Sequence, residues 1–154
     1  MGDAPQTPTA ALLAQWLAGW DAAMALRYVR ASRDEVVIEY DVAAVDRQQY
    51  GIVHGGVHCG VIEGACSTGA ALDAMARGQS VVGVENHTSF IRAVRAGRIE
   101  VRATPITRGR RTQVWEATAR DDAGCIIATG RVRLLCLDAG TDLAGETVRA
   151  TPNR

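Results

Sequence analysis

A carboxylate set in an apolar run is the first feature that chemistry could use. Glu63 lies among Gly60, Val61, Ile62, Gly64, Ala65 and Cys66. Buried alone it would cost several kcal/mol, so it must be paired, exposed in a cavity, or protonated. Two readings follow. Either Glu63 occupies one exposed stripe of a helix, or it is a base or nucleophile at a cleft wall, its pKa tuned by partial burial. Ser67, four residues on, shares its helical face and can hydrogen-bond Glu63 or a ligand. Upstream stands His54-Gly55-Gly56. Glycines there let the backbone approach a ligand, and the unpaired N–H groups of a first helical turn stabilise negative charge, including an acyl-transfer oxyanion. Gly-Gly before a helix is common turn chemistry; joined to a carboxylate two helical turns on, it points to hydrolysis.

Other constellations are less complete. His54 and His58 have a spacing that suits a metal on one helix, with His87 and Cys59 as further nominees. Gly55-Gly56 places His54 outside the regular helix, however, and Glu63 completes no H-E-x-x-H sequence. No metal site is expected, and His58 reads as a packed helix residue. Cys59 and Cys66 read as inert thiols on a buried helix, without a base beside them. Arg108-Gly109-Arg110-Arg111-Thr112 is a basic turn, either merely solvated or able to hold phosphate through planar guanidinium forks. No Gly-x-Gly-x-x-Gly or Walker sequence occurs.

These residues need elements to position them. Thr7-Pro8 reads as a helix start, and the segment to about Met24 places Leu12, Leu13, Trp16, Leu17 and Trp20 on one face. Strands are expected over Ala25–Arg30 and Glu35–Val42; in the latter Val36, Ile38, Tyr40 and Val42 alternate with Glu35, Glu39 and Asp41. Val57 to Ala76 reads as a helix apolar on nearly every side, stopped near Gly78. Its length suits a membrane, but His58, Glu63 and Asp73 argue for a protein wrapping instead. Gly56, Gly60 and Gly64 form a stripe expected to admit another backbone. Strands follow over Ser80–Ile91, Arg98–Ile106, Thr112–Arg120 and Cys125–Leu137, the last two joined by an Asp121-Asp122-Ala123-Gly124 hairpin turn. One long helix among strands with short connections disfavours a doubly wound sheet. It predicts an α+β fold, an antiparallel sheet curled around a single central helix, with a face or sheet edge that needs a second copy. The domain is expected over 1–137, with its N-terminal helix at about 8–24 and a loose polar tail over 138–154.

Composition narrows the classes. The chain has 154 residues, 47% hydrophobic, with seventeen arginines, no lysine and seventeen acidic residues, for a formal charge of zero. A neutral chain without a basic run is a poor nucleic-acid binder, and the apolar fraction is too high for disorder. Four cysteines without a C-x-x-C pattern, and no secretion signal in the first residues, predict a cytoplasmic protein with free thiols.

The stretch Gln48-Gln49-Tyr50-Gly51-Ile52-Val53-His54-Gly55-Gly56 followed by Glu63 resembles the hotdog-fold acyl-CoA thioesterases. The branch it most resembles holds 4-hydroxybenzoyl-CoA thioesterase with a helix-borne Glu and the phenylacetate-pathway thioesterases. Asn86-His87-Thr88-Ser89-Phe90 with Arg92, then Arg120-Asp121-Asp122-Ala123-Gly124, extend the likeness to about Arg47–Leu137. The resemblance implies a sheet wrapped around a central helix, a dimer with a continuous sheet, and a tetramer of two dimers. It implies Glu63 as base or nucleophile, Gly55 N–H as oxyanion donor, Gln48 and His54 orienting the thioester, and Ser67 positioning the water or acyl group. Glu63 and Gly55 would come from opposite subunits, and Arg110, Arg111 and Thr112 would lie near the CoA phosphates. An aryl- or medium acyl-CoA is the implied substrate, with coenzyme A part of it rather than a cofactor, and no nucleic acid or membrane partner. The alternative is a hotdog protein that binds an acyl-CoA or carrier-bound acyl chain without cleaving it. Hotdog dehydratases rely on a differently placed His.

Overall fold

The computed structural model describes residues 13, 14 and 17–148. The start of the expected N-terminal helix lies outside them, and its described end is a short helix α1, Gly19–Ala23. Strands β1 (Arg27–Ala31) and β2 (Val36–Asp41) form a hairpin, and a 3₁₀ turn over Ala44–Asp46 leads to the long helix α2, Gly55–Met75. Then come β3 (Ser80–Phe90), β4 (Arg98–Arg108), β5 (Thr112–Arg120) and β6 (Ile126–Leu137). The six strands form one antiparallel sheet in the order β1-β2-β4-β5-β6-β3.

Alternation explains the sheet. Ile99, Val101 and Ala103 of β4, and Gln113, Trp115, Ala117 and Ala119 of β5, are buried between exposed or half-exposed neighbours. They meet Val61, Ile62, Ala65, Cys66 and Ala70 of α2 in one core. At Gly69 the Trp115 ring fills the space a Cβ would need, so the bulkiest core side chain is accommodated by a missing one. This is the α+β arrangement expected, a sheet wrapped on a single helix. No helix among the described residues is long and apolar enough to cross a membrane.

Two departures have local causes. The glycine stripe of α2 admits side chains instead of a backbone: the His54 ring at Gly56, Trp20 at Gly60 and Asp21 at Gly64. In the segment read as a loose tail, β7 (Asp142–Leu143) and β8 (Glu146–Thr147) pair across Ala144-Gly145. Both turn residues have positive φ, +52° and +85°, the geometry of a tight hairpin usually announced by Asn-Gly.

The sheet has unequal edges. β1 is a five-residue strand, whereas β3 runs eleven residues and buries none of them fully. A long unpaired edge of that kind is a template for a further strand.

Candidate active site

The first turn of α2 has three amides to satisfy, and His54 takes two. Extended at φ −66° and ψ 135°, His54 caps the helix: its Nδ1 accepts the Gly56 N–H at 2.8 Å and its carbonyl accepts the Val57 N–H at 2.9 Å. Nδ1 is therefore unprotonated, and in the neutral ring the proton sits on Nε2. The Gly55 N–H makes no hydrogen bond among the described residues. The preceding loop is pinned from both sides. Gln48 N–H donates to the Ile52 carbonyl and Gly51 N–H to the Gln48 carbonyl, each at 2.8 Å, with Gly51 at φ +72°. Arg95 donates to the Tyr50 carbonyl at 2.7 Å, and Val53 N–H to that of Val94 at 2.8 Å. Gln48 and His54 are thus carried on a fixed loop at the N-terminus of α2.

Two turns along α2, half-buried Glu63 accepts the Ser67 hydroxyl on Oε1 at 2.6 Å. Its second oxygen has no partner among the described residues. The carboxylate lies against β3 at Gly83, where a Cβ would stand 2.7 Å from Oε1. Here the β3–β6 register slips between Gly83 and Glu85, so exposed Val84 bulges from the strand. Further along, Asn86 Nδ2 donates to the Cys59 carbonyl at 3.0 Å and is itself held by Thr88, whose hydroxyl donates to Asn86 Oδ1 at 2.7 Å. The Phe90 ring then lies over Gly55, 2.7 Å from where a Cβ would be. β3 therefore runs beside α2 with its Gly83 end at Glu63 and its Phe90 end at Gly55.

Sequence reasoning left Gly83, Asn86, Phe90 and Arg95 without roles. A glycine inside an expected strand was the one signal that pointed to a bulge or close approach; the others depend on contacts distant in sequence.

The structure thus groups the expected residues in two clusters, Gln48, His54 and Gly55 in one, Glu63 and Ser67 in the other. Eight residues of helix separate Gly55 from Glu63, about 12 Å. Arg110, Arg111 and Thr112 lie elsewhere, beyond the far end of α2. The Arg110 carbonyl accepts from Gln79 at 3.3 Å and the Arg111 carbonyl from Cys136 N–H at 2.8 Å. From Glu63 to the end of α2 is a further twelve residues, roughly 18 Å.

The rejected candidates have structural places. His58 is buried, 3.5 Å from the Tyr40 hydroxyl, and burial holds its pKa below the usual imidazole range. Exposed His54 and buried His58 do not converge, and among the described residues no three His, Cys, Asp or Glu side chains form a metal-binding group. Burial pushes the Cys66 thiol up, and the nearby Glu63 charge adds to it, which keeps the sulfur protonated and unreactive.

A helix wrapped by an antiparallel sheet, capped by His-Gly-Gly and carrying a glutamate two turns on, now has its relatives. The thioesterase superfamily model matches residues 50–126. The Rv1847 protein of Mycobacterium tuberculosis is 38% identical over 122 residues, 78% of this chain and 87% of that protein. Its solved structure superposes with a TM-score of 0.77. A 1,4-dihydroxy-2-naphthoyl-CoA hydrolase of Listeria monocytogenes is 27% identical over 113 residues, 73% of this chain and 91% of the hydrolase. The structure of thioesterase HI1161 from Haemophilus influenzae is 27% identical, with a TM-score of 0.80 over 86% of this chain and 93% of that one. The chain belongs to the thioesterase superfamily and has its hotdog fold.

Proposed function

We propose that the protein hydrolyses acyl-CoA thioesters, aryl or medium-chain, at a site shared by two subunits. The observation that carries this reading is the division of labour along α2. One amide of its first turn, Gly55 N–H, is left open beside the capping His54, and one oxygen of Glu63 is left open two turns away. A thioester carbonyl needs the amide within about 3 Å and the carboxylate as close on its other side. Twelve Å along one helix is too far, so both groups cannot serve one carbonyl from one chain.

A second copy resolves the mismatch. Two β3 edges paired antiparallel about a twofold axis set the Gly83 end of one against the Phe90 end of the other. Since Glu63 lies at the first end and Gly55 at the second, each Glu63 then faces the partner's Gly55. The same pairing covers the exposed edge, and a tetramer would join two such dimers.

In that setting the thioester oxygen accepts from Gly55 N–H, with the Nε2–H of His54 and the Gln48 amide orienting the acyl group. Glu63 acts through its free oxygen, as general base on water or as nucleophile, while Ser67 fixes the carboxylate plane. A thiolate is a good leaving group, so no strong general acid is required. Arg110, Arg111 and Thr112 remain the proposed contacts for the CoA nucleotide phosphates, reached from the far end of α2.

Thiol release from a panel of aryl- and alkyl-CoA thioesters tests the reading. The wild-type chain is expected to release CoA, and Glu63→Ala to lose about 10²–10⁴-fold in turnover while keeping its fold. Tight acyl-CoA binding without thiol release would establish the non-hydrolytic alternative.

A further inference from the structure

The sheet has a second face, turned away from α2. On β5 the pleat sends Gln113, Trp115, Ala117 and Ala119 into the core, so Val114, Glu116, Thr118 and Arg120 stand on the other side. The strand registers align these with β4, β6 and β3. One row reads Arg102, Thr118, Thr129, Ser89, and the next Thr104, Glu116, Arg131, His87. Short hydroxyl side chains thus lie among longer charged ones, and together they line a trough of about 750 Å³. That volume suits a small molecule.

The charges at its ends are spent, whereas those at its middle are not. Arg102 pairs with Glu35 at 2.6 Å and Glu100 at 3.2 Å, and Arg133 with Glu85 at 3.2 Å. Arg120 donates through one nitrogen to the Gly124 carbonyl at 2.9 Å. Arg131 has no ion pair and no side-chain hydrogen bond among the described residues, although Glu116 stands directly opposite it on β5. Opposite charges so placed ordinarily close on each other; here both line the trough unpaired. The half-buried Thr104, Thr118 and Thr129 hydroxyls likewise make no hydrogen bond among the described residues. Four arginines against two glutamates leave the trough positive in a chain whose formal charge is zero. A covering copy of the chain fits this face poorly, because charged side chains are depleted at the centres of protein interfaces.

The arrangement fits an oxyanion. Arg120 lies two residues beyond Thr118 on β5 and Arg131 two beyond Thr129 on β6, on opposite sides of the threonine pair because the strands are antiparallel. At about 3.3 Å per residue their backbones stand roughly 13 Å apart along the strands, a gap two arginine side chains can close on one phosphoryl group. Thr118 and Thr129 supply hydroxyl donors beneath it. Glu116 can only accept, so it repels a bare anion but binds a hydroxyl or amino donor carried beside the phosphate.

We propose that this outer trough binds a phosphorylated small molecule that also carries a hydroxyl or amino donor, with the phosphate on Arg120 and Arg131 and the donor on Glu116. The site shares no residue with the Glu63 and Gly55 clusters and does not depend on the thioesterase reading.

Calorimetry on the intact chain tests this with inorganic phosphate, ribose 5-phosphate and adenosine 5′-monophosphate as probes. Ribose 5-phosphate should bind about ten- to hundredfold more tightly than inorganic phosphate, as for a hydrogen bond to a charged group. Equal affinity for adenosine 5′-monophosphate marks a sugar-phosphate ligand, and higher affinity a nucleotide. Arg131→Ala should weaken both organic probes about tenfold or more, with Arg131→Lys between it and wild type. Glu116→Gln should weaken ribose 5-phosphate while inorganic phosphate binds no worse. Both positions are exposed, and melting curves verify that the variants fold. Unchanged affinities in folded Arg131→Ala, or no binding of either organic probe at millimolar concentration, overturn the proposal. So does a tetramer that Arg131→Ala splits into dimers without any probe binding, which would assign the face to a second copy.

Discussion

Glu63 and Asp73 are carried ten residues apart on the same helix and are wired in opposite ways. Asp73 is 2% exposed and fully engaged. Arg77 meets it at 2.6 Å, Arg33 at 3.3 Å and Arg108 at 3.9 Å, while buried Gln113 donates to it at 3.3 Å. That cluster ties the C-terminal end of α2 to the β1–β2 turn, to β4 and to β5. Glu63 is less buried, has one hydroxyl partner on one oxygen, and faces a glycine in a bulged edge strand. Burial alone therefore does not separate the carboxylate proposed to react from the one that ties the fold together. The informative carboxylate is the one whose hydrogen-bonding capacity the fold leaves unused.

The contrast predicts different failures. Glu63→Ala should cost the 10²–10⁴-fold in turnover given above, about 3–5 kcal/mol in barrier height, with little change in melting temperature. Asp73→Ala should act on stability instead. The arginines around it are 29–53% exposed and can turn to water, but Gln113 loses a buried partner, so about 2–3 kcal/mol is expected in denaturant unfolding. Activity per folded molecule should stay near normal. A Glu63 variant that loses stability while keeping its rate, or an Asp73 variant that does the opposite, would invert the assignment. The smallest effect belongs to Ser67→Ala. Loss of one hydrogen bond to a carboxylate that keeps its β3 contact should lower turnover about tenfold, visible in kcat more than KM.

How much of this was legible depends on the range of each contact. Glu63 stood out because its neighbours in sequence are apolar, and Ser67 because helical spacing alone brings it near. The strands were legible from alternation, since Ile99, Val101 and Ala103 need only their own pleat to share a face. Gly83 has its meaning from a side chain twenty residues earlier, and Asp73 from Arg33 and Arg108, forty and thirty-five residues away. In the sequence alone Asp73 counts only as a charge against a membrane span. Trp20 was recognised as one of an apolar face, but not that it lies over Gly60, because a glycine stripe does not say whether backbone or side chain will fill it.

The central claim is that one reaction uses Glu63 of one subunit and the oxyanion donor of another. Gly55→Pro removes the Gly55 N–H at a first helical position, where the backbone suits proline and the exposed Phe90 ring must turn aside for its Cβ, and Glu63→Gln removes the carboxylate. Each variant alone should be nearly inactive. Co-expressed with different tags and assayed as the mixed population, they should regain about a quarter of wild-type activity, since half of randomly paired dimers are mixed and each restores one of two sites. Thiol release no greater than that of the separate variants, from a preparation shown to contain mixed dimers, would contradict the shared site.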